Sequence, residues 1–200
     1  AGRYEEIRHT TAVLCLVVAA ATLGMSAFAP DLVKIMATEA YSQAIWIIPP
    51  VSASVFFVFM YMVFANVEMY YDGNRGILVI SIICSAANLI LNAICIPVWG
   101  YMAAGWTTLF CYILLTVLHY ILMKRACRRN QVRENIFPEY LLLAIVLCVL
   151  VLSLAVLGLY KLSYFRYVIL LLEILAVLGC RRKLIRVWNQ LRKGEEKNGE

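Results

Sequence analysis

Six stretches of this chain, residues 11–30, 41–67, 76–98, 101–123, 139–160 and 164–180, run with scarcely a charge for roughly the 17 to 25 residues that a helix needs to cross hydrocarbon. A soluble domain intersperses charges every few residues. Here 64% of 200 residues are hydrophobic and 15% charged, with the charges gathered between the apolar runs. The bilayer is therefore the expected solvent, and the expected fold is all-α: a polytopic membrane helix bundle with six transmembrane helices.

The connections can be read residue by residue. Pro30-Asp31 is expected to close the first span and open a short polar connection reaching Glu39. Pro49-Pro50 falls in the first half of the second span, which predicts a kink or break there. Asp72-Gly73-Asn74 is a chain-reversal signal, the third span is expected to end near Pro97, and Trp99-Gly100 makes a tight hairpin into the fourth. The organisation is then four spans over 1–125, a basic linker over 126–138, a terminal helix pair over 139–180 and a basic tail over 181–200. Ala1 stands first rather than Met, and the charges from Arg3 to His9 include Glu5 and Glu6, unlike a cleaved signal peptide. The N-terminal part of a longer protein is expected to precede it.

Orientation follows from counting Lys and Arg, which short loops hold on the cytoplasmic face. One set of connections holds Arg3, Arg8, Arg75, Lys124, Arg125, Arg128, Arg129, Arg133 and the tail, fifteen of the eighteen basic residues. The other holds Lys34, Lys161 and Arg166. Both ends are thus expected in the cytoplasm, in a multi-pass plasma-membrane protein. Tyr41, Trp46, Trp99, Tyr101, Tyr160 and Tyr164 then mark the outer interface, and Tyr70, Tyr71, Tyr120 and Tyr140 the inner one. The net charge of +6 belongs to membrane-flanking residues, so anionic lipid is the expected partner and nucleic acid is not. The seven cysteines are scattered without a CxxC pair and read as small packing residues.

A polar group inside a span is costly unless it is paired or faces water, which makes each one a candidate for function. Asn88 and Asn92 are four residues apart on the third span, and Ser81 and Ser85 continue that stripe. The stripe either lines a hydrophilic cavity or hydrogen-bonds to another helix as glue. Glu173, near the middle of the sixth span, either exchanges a proton during transport or is a neutral acid bonded to a neighbour. His119 reads as interfacial, and Glu68 and Asn66 lie at the cytoplasmic mouth of the second span. Small residues such as Ala103, Ala104 and Gly105 allow helices to approach closely. With two histidines, no phosphate-binding Gly loop, no metal-ligand spacing and no nucleophile elbow, neither an enzyme nor a bound cofactor or metal is expected.

Several motifs in order resemble a known family. They are the run from Phe28 to Met36, Tyr41, a Pro-bearing apolar helix ending in Asn66, and Tyr70 to Arg75. Ala87-Asn88-Leu89-Ile90-Leu91-Asn92 follows, then Ile96-Pro97, Gly100, Ala103-Ala104-Gly105 and Thr107-Thr108. Over residues 10 to 125 the chain resembles the C-terminal half of oligosaccharide flippases of the O-antigen type. These belong to the superfamily that also holds lipid II flippases and multidrug and toxin extrusion transporters. Trp106 departs from the family's Gly/Ala-rich start of that helix, and six spans correspond to the last part of a fourteen-span member.

The resemblance implies transport of polyprenyl-diphosphate-linked oligosaccharide for surface polysaccharide, by alternating access against an N-terminal lobe, in the inner membrane of a bacterium. It implies Asn88, Asn92 and Asn66 as contacts for the sugar and Arg75 as an attractor for the diphosphate. The alternatives are a cation-coupled drug antiporter of the same superfamily, with Glu173 as its coupling carboxylate, and a non-transporting membrane scaffold.

Overall fold

A computed structural model describes residues 2–36, 39–71, 74–132 and 136–160, together with 167, 168, 170, 171, 175, 178 and 179. Among the described residues every regular element is helical. They are α1 (Gly2–Met36), a 3-10 segment (Glu39–Trp46), α2 (Ile48–Tyr70), α3 (Asn74–Trp99), α4 (Met102–Arg129) and α5 (Glu139–Leu159). Five helices are long and apolar enough to cross a membrane. The sixth expected span lies largely outside the described residues; those described between 167 and 179 are helical, and the Tyr167 hydroxyl donates to Asp31 Oδ1 at 3.1 Å.

The bundle is organised around α2, which packs most extensively on α4, then on α1, and also touches α5. The core is apolar and aromatic: Phe56, Phe57, Met60 and Phe64 of α2 meet Cys15 and Ala19 of α1, Leu109 and Met123 of α4, and Leu142, Ile145 and Val149 of α5. Ile136 and Phe137 fold back from the connection before α5 into this core, where Phe137 packs on the Phe64 ring at 5.8 Å. By contrast α3 lies outside, with α4 as its main neighbour, and presents Leu78, Val79, Ile82, Ile83, Leu89, Ile90 and Ile94 outward. An outward apolar face suits a helix bathed in hydrocarbon.

Pro30, Pro49 and Pro50 behave differently from their expected role as breaks. α1 continues through Pro30 to Met36. Proline has no N–H, so the Ser26 carbonyl four residues back loses its helical donor. Tyr160 at the end of α5 replaces it, its hydroxyl donating to Ser26 O at 2.6 Å, with the Trp46 ring packed on the Tyr160 ring at 5.6 Å. Pro49 and Pro50 sit in the first turn of α2, where their N–H groups would have had no helical acceptor. They start the α-helix after the 3-10 segment rather than kinking it. α3 ends at Trp99, at the expected hairpin: Pro97 lies inside its last turn, and Gly100 turns the chain with a left-handed φ of +72° and an N–H that donates to Ile96 O at 2.8 Å.

The basic linker also begins later than its composition implies, because α4 carries Lys124, Arg125, Arg128 and Arg129 within its final turns. Gln131 takes a φ of +57°, and the next N–H, that of Val132, donates back to Cys127 O at 2.9 Å, closing the helix end. Lys124 is ion-paired with Glu139 in the first turn of α5, which ties the two helices across the connection. Both side chains are about a third exposed, so this pair contributes on the order of 1 kcal/mol at most.

Two substitutions test this packing by thermal unfolding in detergent. Tyr160→Phe leaves the buried Ser26 carbonyl without a donor and is expected to cost about 1–3 kcal/mol. At Gly105 an added Cβ would stand 2.5 Å from Ile47 Cγ1 and 3.3 Å from the Ile47 carbonyl oxygen, where α4 crosses the start of α2. Gly105→Ala is accordingly expected to destabilise by about 1–3 kcal/mol through overpacking.

Candidate functional site

On α2, residues three or four apart, Ala53, Phe57, Met60, Phe64 and Glu68, form one buried stripe. On α4 the corresponding stripe is Thr116, His119, Met123 and Cys127. Because these stripes face each other, an acid and an imidazole separated by fifty-one positions in sequence meet inside the bundle. His119 Nδ1 lies 2.8 Å from Glu68 Oε1, with the two residues 0% and 1% exposed. The Tyr61 ring stacks on the imidazole at 5.5 Å, and the Tyr112 ring stacks on Tyr61 at 6.5 Å. One turn before His119, the Thr116 hydroxyl reaches the Phe57 carbonyl of α2 at 3.0 Å and that of Tyr112 at 2.8 Å.

The chemistry of this pair is asymmetric. A hydrogen on Nδ1 donated to the carboxylate fixes the ring's tautomer and its orientation. The two remaining polar atoms, Glu68 Oε2 and His119 Nε2, are also buried, and neither has a hydrogen-bond partner. Groups of this kind in an apolar interior are costly when unpaired.

The second polar cluster lies between α3 and α4. Thr107 Oγ1 donates to Asn92 Oδ1 at 2.5 Å, and Asn92 Nδ2 donates to Asn88 Oδ1 at 3.0 Å. The two asparagines expected to share a face do so: Asn88 bonds to Asn92 along α3, and Asn92 reaches α4 through Thr107. Both stay half-buried rather than sealed. Ser81 is half-buried and Ser85 exposed on the same helix. Asn66 and Arg75 are exposed and contribute to neither cluster; Glu173 lies outside the described residues. A pocket of about 270 Å³ opens between α2, α4 and α5, lined by Pro50, Ala53, Trp106, Leu109, Leu150 and Ser153 among others. Its walls are almost wholly apolar, which suits an aliphatic chain rather than a sugar.

The meeting of Glu68 with His119 is the feature that reading the residues singly misses. Placed by its distance from the chain's charged turn, Glu68 looks like a solvated helix end. Its spacing carries a better signal: it falls on the stripe of Phe57, Met60 and Phe64, and a carboxylate on a buried stripe needs a partner of opposite character.

Removing one member strands the other in the core. His119→Leu is expected to destabilise the bundle by about 3–5 kcal/mol, whereas the double replacement Glu68→Met/His119→Phe recovers most of that loss. Thermal melts of the three proteins in one detergent measure the difference. No family model, no curated protein and no solved structure matches the chain.

Proposed function

We propose that this chain is the carrier portion of a flippase that moves polyprenyl-diphosphate-linked oligosaccharide across a bacterial plasma membrane, working against an N-terminal lobe of the same protein. The observation that carries the reading is the ladder from buried Thr107 to Asn92 and Asn88, whose two asparagines stay half-buried on α3, the least covered of the five described spans. Amides serving only to hold two helices together are best sealed between them, where each hydrogen bond is shielded. These keep part of their surface open within a span that is otherwise apolar, so a hydrated headgroup could exchange its water for them. The lipid tail would stay in hydrocarbon throughout. The fifteen-to-three distribution of Lys and Arg supports an orientation with the 124–129 end of α4 inside the cell, where Arg75 at the start of α3 meets anionic headgroups.

A cation-coupled antiporter of the same superfamily is the second reading, and the buried Glu68–His119 pair favours it, since a titratable pair inside a span is the usual means of ion coupling. Replacing both Asn88 and Asn92 by Leu in the full-length protein separates the two. As a flippase the variant is expected to lose surface polysaccharide at least about ten-fold, the equivalent of ~1.4 kcal/mol of cargo affinity, at unchanged protein level. Normal polymer at normal protein level overturns the flippase reading.

A further inference from the structure

We propose that Glu68 and His119 form a proton-exchange site inside the bundle, with Nε2 of His119 the atom that takes up and releases the proton. The site stands on its geometry whatever the cargo; only its use as the energy input of transport rests on the reading above.

The argument starts from hydrogen-bond capacity. With Nδ1–H donating to Glu68 Oε1 at 2.8 Å, a neutral imidazole presents only a lone pair at Nε2, and the carboxylate presents only lone pairs at Oε2. Both atoms are buried and unpartnered. The site therefore has two acceptors and no donor, and what it lacks is a hydrogen. In that state it also holds a net negative charge away from water, which is costly.

A proton delivered to Nε2 corrects the charge. The lone pair becomes an N–H, His119 becomes imidazolium, and the pair becomes an electroneutral His⁺–Glu⁻ couple without either side chain moving. The Tyr61 ring stacked on the imidazole offers its π face to the new cation. Release reverses the step: the N–H electrons return to Nε2 as its lone pair, the proton leaves to water, and the other hydrogen stays on Nδ1, donated to Glu68 Oε1.

Other groups on the packed helices are placed so that they do not substitute for this pair. On α4, Lys124 is held by Glu139 of α5 and lies near the Tyr120 ring. On α1, the Cys15 thiol donates to Met60 Sδ, Arg8 is half-buried, and His9 is exposed. On α3, Arg75 is exposed; on α2 and α4, Tyr61 and Tyr112 occupy the ring stack.

The chain contains two histidines, so the imidazole nitrogens can be read directly. The experiment uses the full chain, ¹⁵N-labelled at histidine, in lipid nanodiscs, with His9→Gln to leave one imidazole. As the sample is taken from alkaline to acid pH, Nδ1 is expected to remain protonated while Nε2 converts from a bare nitrogen to N–H. In Glu68→Gln the single tautomer at the alkaline end is expected to give way to a mixture. An Nε2 that stays in one state across that range, or an Nδ1 that is bare at the alkaline end, overturns the proposal. The His9→Gln measurement decides this alone should Glu68→Gln fail to fold. Normal polysaccharide in the Asn88→Leu/Asn92→Leu protein, which overturns the flippase reading, would leave this result untouched, so the two proposals fail separately.

Discussion

Hydrocarbon supplies no hydrogen bonds, and that single deficit governs where this chain places its polar atoms. Each unsatisfied backbone group in a span costs several kcal/mol, so a proline inside a helix is tolerable only if another residue replaces the donor it removes. Tyr160 does this for Pro30 by donating to the Ser26 carbonyl. The bond joins the end of α5 to the middle of α1, and with the Trp46 ring against Tyr160 it also positions the 3-10 segment that leads into α2. The core of Phe56, Phe57, Met60 and Phe64 is then presented to α1, α4 and α5 together.

The same deficit sorts the polar side chains into two kinds. Thr116 and Ser26 spend their hydroxyls on nearby carbonyls and are complete. Glu68 and His119 satisfy one atom each and leave one each unsatisfied, while Asn88 and Asn92 bond to each other and to Thr107 yet remain half open. Complete groups hold helices in place; incomplete ones are where a ligand, a proton or water has something to gain.

The five helical spans were legible because a run of some twenty apolar residues has few other solutions in lipid. Some ends were too, those of α5 and of the α3–α4 hairpin at Gly100, whereas α1 and α4 run on past theirs. Pro30 and Pro49-Pro50 read as breaks, but the effect of a proline depends on which neighbour supplies the absent partner, or on whether a partner is needed at that position at all. Linear sequence does not contain that neighbour. Asn88 and Asn92 were recognisable because a four-residue spacing is local. Glu68 and His119 were each visible but not as a pair, since their contact depends on how α2 and α4 face one another.

The course of α4 links these sites. Thr107 lies twelve positions before His119, about 18 Å along the axis at 1.5 Å per residue, and one rigid helix holds both the ladder to α3 and the imidazole facing α2. A turn of that helix about its own axis swings both side chains through the same angle, as a camshaft moves two valves. The two polar centres are thus fixed to one rod, so neither side chain can be turned by that helix without the other.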